Sequence, residues 1–119
     1  MIGYSLILPL SPSINHYYTR NRNGGLYISE AGQAFREEVW LAVKQSKMPK
    51  LMGRVCLVVR VLPRDKRLTD ISNRVKSLED ALQLAGAFAN DEQIDDLQVL
   101  RGPVVPGGRL EVMVGEIEA

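Results

Sequence analysis

Apolar and polar residues alternate along the chain with two different periods, and each period predicts a different kind of element. Residues 2–8 alternate with a period of two and predict a first strand, which ends at Pro9. Residues 30–46 carry apolar side chains at helical spacing behind Ser29, a residue suited to cap a helix. Residues 53–64 are rich in valine in both registers and predict a strand covered on both faces. The first half of the chain therefore predicts a strand, a helix and a second strand.

The second half of the chain predicts one further helix and two further strands. The helix is marked by an apolar stripe and closed by Gly86. The residues of this stripe are Ile71, Val75, Leu78, Leu82 and Ala85. An acidic turn at 89–96 leads into a strand over 96–102, and a Pro-Gly-Gly turn leads into a last strand over 109–117. The order β-α-β-α-β-β predicts the α/β (α+β) class, with a mixed four-stranded sheet and two helices on one face.

Two polar segments interrupt this pattern. Residues 11–25 are rich in Asn, Tyr, Ser and Arg, and a loop of about 15 residues in a small domain usually has a function. Residues 63–70 form a basic loop that leads into the second helix. We expect both segments to be surfaces that contact a ligand.

Size and composition indicate an ordinary globular protein. A chain of 119 residues supports one hydrophobic core, so we expect a single domain over 1–119. No stretch approaches the roughly 18 apolar residues that span a bilayer, and the first residues lack the basic flank of a signal peptide. We therefore expect a cytoplasmic protein without a membrane partner. The single cysteine, Cys56, excludes an intrachain disulfide and is expected to be a buried, unreactive thiol.

The small net charge of +1 conceals a strong asymmetry along the chain. Residues 1–68 hold eleven Lys and Arg against four Asp and Glu, whereas residues 69–119 hold four against ten. A basic region attracts a polyanion and an acidic region supplies carboxylates for a cation, which suits a metal-dependent nuclease. Halves of a sequence need not be halves of the folded protein, so the asymmetry alone leaves this open.

The first candidate site lies where the basic loop becomes the second helix. Asp70, Asn73 and Lys76 are spaced by three residues, so a helix places them on one side, opposite the apolar stripe. A carboxylate, an amide and an ammonium at a helix N-terminus can hold a hard cation together with a phosphate. A structural alternative stays open, in which Asp70 or Ser72 caps the helix and Lys76 pairs with Asp80.

The second candidate site is the acidic turn. Asn90, Asp91 and Glu92 are followed closely by Asp95 and Asp96. Magnesium takes oxygen ligands and commonly uses only one or two protein carboxylates, with water and substrate phosphate at its other positions. A solvated acidic turn without a ligand is the alternative.

Several other kinds of site are excluded. One histidine and one cysteine cannot build a zinc site of the usual nitrogen and sulfur kind. Neither a GxGxxG nor a P-loop sequence is present, so no nucleotide cofactor is expected. His16 has no nucleophile motif to serve in a hydrolase triad, and we expect it to lie on the surface or contact a phosphate.

Along nearly its whole length the chain resembles the RusA family of Holliday-junction resolvases. The similar segments are ILPLSPSINHYYTRNRNG near the start, YISEAGQAFREEV in the first helix, PRDKRLTDISNRVKSLEDALQLAGAF around the second helix, and NDEQI. The resemblance implies a homodimeric endonuclease that cuts four-way DNA junctions with Mg²⁺, for which Mn²⁺ substitutes. It implies that Asp70 and Asp91 bind the metal and that Lys76 is needed for activity.

One position departs from the family pattern. The usual motif is Asp-x-Asp-Asn, whereas this chain has Asp70-Ile71-Ser72-Asn73, so a serine replaces one carboxylate. Two carboxylates with water and phosphate still hold magnesium, although the affinity should fall. Glu92, Asp95 and Asp96 are candidates for the missing ligand, and the sequence does not choose among them. Asp80 is disfavoured, because ten helical residues place it ~15 Å from Asp70 along the axis.

The resemblance also assigns surfaces for branched DNA. Basic and polar side chains are expected to hold its phosphates. These residues are Arg64, Lys66, Arg67, Asn73, Arg74 and Lys76, together with Arg20 and Arg22 of the first loop. Tyr17 and Tyr18 either stack on unpaired bases at the branch or pack in the core. Two rival functions stay open: a junction-binding protein disabled by Ser72, and a less selective nuclease for flaps and forks.

Overall fold

Four strands form a mixed sheet at the centre of the protein. The structure, a computed structural model of the chain, describes residues 2–67 and 69–118. In chain order its elements are β1 (Gly3–Leu8), α1 (Ile14–Tyr17), β2 (Tyr18–Arg20), β3 (Leu26–Ile28), α2 (Glu30–Ser46), β4 (Val55–Leu62), α3 (Val75–Ala85), β5 (Ile94–Arg101) and β6 (Arg109–Glu116). The strand order of the sheet is β1-β6-β4-β5, with β4 and β5 parallel and the other pairs antiparallel. The predicted mixed four-stranded sheet is confirmed.

The central strand β4 buries one face of the sheet under the helices. Val55, Leu57, Val59 and Val61 alternate into a single hydrophobic core that also contains the apolar residues of α2 and α3. No helix of the described chain covers the opposite face, where Val58 is only half-buried. The arrangement of both helices on one face is therefore confirmed. A two-layer domain of this kind needs only one sheet face to be apolar throughout.

Helix α2 has the predicted bounds. The Ser29 hydroxyl accepts a hydrogen bond from the Gly32 amide at 3.0 Å and so caps the first turn. Phe35, Val39 and Val43 lie one turn apart and bury the inner face of the helix. The helix ends at Lys47, which adopts the left-handed conformation with φ of 59°.

Helix α3 also follows its predicted stripe. A 3₁₀ turn, Ile71–Arg74, precedes it, and the buried side chains behind that turn include Val75, Leu78 and Leu82. Gly86 ends the helix with φ of 87°, a conformation that favours glycine at this position. The predicted stripe and closing residue are confirmed.

Two predicted boundaries are wrong. The segment 11–25, expected to be one loop, contains α1, β2 and the turn before β3. Strand β5 begins at Ile94, so Asp95 and Asp96 lie in a strand and outside the acidic turn.

Cys56 is buried and free, as expected. Leu68, inside the predicted loop 63–70, lies outside the described residues. Within the described chain, no helix is both long and apolar enough to cross a membrane.

Tyr17 anchors the first loop to both long helices. Its ring is fully buried, and its hydroxyl donates to the Asp80 carboxylate of α3. Arg36 of α2 donates to the Tyr17 oxygen at 2.6 Å and to Asp80 Oδ2 at 2.8 Å. Burial, followed by the bond to Asp80, raises the pKa of Tyr17, so the phenol stays protonated. Of the two roles open for this tyrosine, the structure supports core packing, and Tyr17 is not accessible for base stacking.

Candidate metal and DNA-binding site

Asp70 is an exposed carboxylate at the start of the second helical segment. Its Oδ1 atom accepts hydrogen bonds from the Ser72 hydroxyl at 2.7 Å and from the Ser72 amide at 3.1 Å. The hydroxyl bond, then the amide bond, lower the pKa of Asp70, and the positive charge of Arg101 acts in the same direction. Arg101 also donates to the Thr69 carbonyl at 2.7 Å. Asp70 therefore caps the turn, as the structural alternative predicted, and still presents a charged carboxylate to solvent.

Asp91 begins the acidic turn, and side-chain amides fix the backbone there. The Asp91 amide donates to Gln83 Oε1 of α3 at 3.1 Å, and Asn90 Oδ1 accepts from the Glu92 amide at 3.0 Å. The carboxylate of Asp91 takes no part in these backbone contacts. Its side chain, 39% exposed, is accessible to a ligand.

The buried amide of Gln93 holds the turn against the sheet. Its Nε2 donates to the carbonyls of Leu51 at 2.9 Å and Gly53 at 2.8 Å. Its Oε1 accepts from the amides of Ala89 and Asn90, both at 2.8 Å. The amide thus makes four hydrogen bonds, two to the backbone just before Asp91 and two to the segment before β4.

Lys76 joins Asp91 to a carboxylate that the sequence analysis did not single out. Lys76 Nζ lies 3.4 Å from Asp91 Oδ2 and 3.8 Å from Glu79 Oε1. The predicted pair of Lys76 with Asp80 is wrong, since Asp80 binds Arg36 and Tyr17 instead. The i,i+3 spacing of Lys76 and Glu79 was a sequence signal that could have revealed the contact.

The carboxylates form two groups that no contact joins in the described chain. Asp70 lies before the first turn, whereas Asp91 follows the last one and meets Gln83 in the final turns of the helix. Among residues 2–67 and 69–118, no hydrogen bond or ion pair joins Asp70 to Asp91. In the same residues, no three His, Cys, Asp or Glu side chains gather closely enough to hold a metal ion. One chain thus presents two partial ligand sets.

The three acids considered as replacement ligands have other contacts. Arg54 binds Glu92 at 3.4 Å and Asp95 at 2.7 Å. Asp96 lies beside the Cys56 thiol, with Oδ2 at 3.7 Å from Sγ. None of the contacts found for these acids reaches Lys76 or Asp70, so the structure lends no support to their predicted role.

A groove of about 820 Å³ borders Asp70. It runs between the segment 9–16, the start of α2 and the segment 64–74. Its polar lining includes Ser13, His16, Arg64, Asp70, Asn73 and Arg74. The groove carries both charges, with Arg64 and Arg74 able to attract a phosphate and Asp70 and Glu38 able to attract a cation.

The side chains predicted to contact DNA differ in their exposure and in the partners they already have. Arg64, Lys66 and Arg22 are exposed, whereas Arg67 pairs with Asp65 at 2.8 Å. Arg74 donates to the Ser11 carbonyl, and burial, then the charge of Arg64, lower its pKa.

The remaining contacts belong to the first loop. Arg20 donates to the Gly24 carbonyl at 3.1 Å. Tyr18 is half-buried with its ring edge-on to Tyr17 at 5.0 Å, and His16 Nδ1 lies 2.6 Å from the Ser13 hydroxyl. Arg64 and Lys66 are therefore better placed for phosphates than Arg74, which clamps the first loop.

A small α+β fold with accessible carboxylates and a groove that contains arginine suits a metal-dependent nuclease, and comparison with known proteins identifies the class. The family described as endodeoxyribonuclease RusA matches residues 9–115. The chain belongs to the RusA family. It is 39% identical to the crossover junction endodeoxyribonuclease of Enterobacteria phage HK97, over all of this chain and 99% of the relative. It is 38% and 37% identical to the crossover junction endodeoxyribonucleases RusA of Shigella sonnei and Escherichia coli K12, over 98% of each chain.

Proposed function

We propose that this protein is a structure-selective endodeoxyribonuclease that resolves Holliday junctions by hydrolysing phosphodiester bonds in DNA recombination and repair. The observation that carries the proposal is the family match, which spans Asp70, Lys76 and Asp91 in a chain of the same length as its relatives. Its place of action is the cytoplasm, where such DNA would be met. The accessible carboxylates, and the groove that places Arg64 beside Asp70, supply a physical basis for the activity.

The donor set fits a hard divalent cation. Asp70 and Asp91 offer accessible carboxylate oxygens, the ligands that Mg²⁺ prefers and Mn²⁺ accepts. When bound, the cation activates water and stabilises negative charge on the phosphate. Asp70 is suited to this role because the hydrogen bonds from Ser72 keep it ionised and fix its orientation.

The other residues position the DNA and stabilise charge. Lys76, 67% exposed, supplies an ammonium that can neutralise the phosphate as charge develops there. Arg64 and Lys66 hold neighbouring phosphates, which position the strand without selecting a sequence. Asn73 lines the groove beside Asp70 and can donate to the same strand.

A homodimer would complete the ligand set that one chain leaves divided. Strand β5 lies at an edge of the sheet and exposes Leu97 and Leu100. When two copies of an edge strand pair antiparallel about a twofold axis, the start of one meets the end of the other. Asp91 precedes the start of β5, and Arg101 at its end lies beside Asp70. Such pairing therefore brings Asp70 towards Asp91 of the partner subunit.

Mixing two inactive variants tests this arrangement. Asp70→Asn and Asp91→Asn should each be inactive alone, but co-refolded in equal amounts they should regain nicking of a four-way junction. Random pairing gives heterodimers with one intact site, or about a quarter of the parental sites. A mixture of either variant with itself is the matched control. If the sites lay within single chains, the mixture would stay inactive.

The proposed activity is tested by comparing DNA structures. The protein should cleave a labelled four-way junction faster than a fork or a linear duplex of the same sequence, in Mg²⁺ or Mn²⁺. Tight, salt-sensitive binding without nicks would indicate the junction-binding alternative. Equal cleavage of junctions and forks would indicate a less selective nuclease.

A further inference from the structure

Glu79 is a mostly buried carboxylate that contacts Lys76 of the proposed site. Its side chain is 12% exposed, although it lies on α3 only one turn beyond the exposed Lys76. Burial raises the pKa of Glu79, the Lys76 charge opposes this, and the Asp91 charge adds to it. Glu79 thus lies within electrostatic range of both Lys76 and Asp91.

The charges of this group are not balanced. Lys76 is the only cation that contributes to the electrostatic environment of Glu79 among the described residues, and it also contacts Asp91. One ammonium therefore serves two carboxylates and leaves a net charge of −1. In an ordinary surface ion pair on a helix the carboxylate is exposed, and one positive charge balances one negative charge. The arrangement favours a cation of higher charge at the position of the ammonium.

The motif around Asp70 lacks one carboxylate, because Ser72 stands in its place. Ser72 contributes a hydroxyl that is already committed to Asp70 at 2.7 Å. Glu92 and Asp95 are paired with Arg54. Glu79 differs from them, because its one ion-pair partner in the described chain is the same lysine that contacts Asp91.

We propose that Glu79 is a ligand of the divalent cation together with Asp91, and that Lys76 competes with this cation for the same two carboxylates. The inference rests on the proposed function, since it extends the site assigned there. Lys76 leaves the carboxylates when the cation binds, and its ammonium is then released towards the phosphate. Glu79 in this way supplies the carboxylate that Ser72 does not.

Opposite effects of two substitutions distinguish this proposal from a structural ion pair. Glu79→Gln removes a ligand and should weaken Mn²⁺ binding at least about tenfold. Loss of a residue that only supports a metal ligand already weakens metal binding by about 10- to 100-fold. Lys76→Met removes the competing charge and should tighten Mn²⁺ binding at least about fivefold. This gain corresponds to about 1 kcal/mol, the Coulomb repulsion in water between two unit positive charges about 4 Å apart. A structural ion pair predicts no tightening for Lys76→Met.

The measurement is a Mn²⁺ titration of the full-length protein without DNA, followed by the electron paramagnetic resonance signal of free Mn²⁺. Glu92→Gln is the matched control, because it makes the same chemical change in a carboxylate held by Arg54. Circular dichroism and urea unfolding establish that each variant is folded. The Lys76→Met titration keeps the proposal testable if Glu79→Gln does not fold.

The outcomes separate this inference from the function on which it rests. If Asp91→Asn loses Mn²⁺ binding while Glu79→Gln binds like the parent, Glu79 is not a ligand and the proposed function stands. If neither variant changes Mn²⁺ binding, the metal site itself is misassigned. If Lys76→Met binds Mn²⁺ no more tightly than the parent, the competition is refuted.

Discussion

The Asp91→Asn variant should cleave a four-way junction at least about a thousandfold more slowly than the parent protein. Losing one group that stabilises charge in a transition state costs about 10² to 10³ in rate, and loss of a metal ligand should exceed this. The fold should survive, because the turn is held by backbone and amide contacts of Asn90, Gln83 and Gln93, in which the Asp91 carboxylate has no part. Single-turnover cleavage in Mg²⁺ and junction binding by gel shift provide the two measurements.

The neighbouring Glu92→Gln variant is the control for this experiment. Glu92 lies in the same turn, but it is paired with Arg54. Its cleavage rate should stay within about twofold of the parent rate, since exposed pairs of this kind contribute little. An Asp91→Asn protein that cut junctions as fast as the parent would disprove the site assignment.

Tyr17→Ala should lower the free energy of unfolding by about 3 to 5 kcal/mol, the usual cost of removing a buried aromatic ring. The whole stability of a small domain is about 5 to 15 kcal/mol, so this loss is a large share of it. The ring is fully buried, and its hydroxyl shares Asp80 with Arg36. Its removal therefore leaves a cavity and also detaches the first loop from α2 and α3.

Urea unfolding measures this effect, and Tyr27→Ala is its matched control. The Tyr27→Ala variant has the same chemical change at a side chain that is 50% exposed. The free energy of unfolding of this variant should differ from that of the parent by about 0.5 kcal/mol or less. Equal unfolding midpoints for the two variants would show that Tyr17 does not anchor the loop. Tyr17→Phe separates the hydroxyl from the ring, because it keeps the packing and loses only the bond to Asp80.

Long periodic segments of this fold were predictable from sequence, because their signals are local. Helix α2 has the predicted bounds, since Ser29 caps it and its apolar side chains repeat every turn. Gly86 marks the end of α3 for an equally local reason, its left-handed backbone. The short hairpin of β2 and β3 was missed, because strands of three residues are too short to show a period.

The candidate site was predictable only in part, because its contacts join distant parts of the chain. Asp70 and Asp91 came from motif and resemblance, and their roles stay a proposal. Glu79 was missed because the candidates for a further acid were taken from the sequence around Asp91, whereas the contact of Asp91 with Lys76, one helical turn from Glu79, forms only in the folded chain. The partners of Asp80 lie in α1 and α2, and no local pattern announces them.

The amide of Gln93 has a consequence for the thermodynamics of ligand capture. An exposed turn that binds a cation usually loses conformational entropy as it becomes ordered, and that loss weakens binding. Here one buried side chain makes four hydrogen bonds that hold the backbone just before Asp91, at Ala89 and Asn90, against that of Leu51 and Gly53. The entropy of the turn is therefore lost when the protein folds, and under the proposed function the Asp91 carboxylate would bind its cation from a backbone that is already ordered.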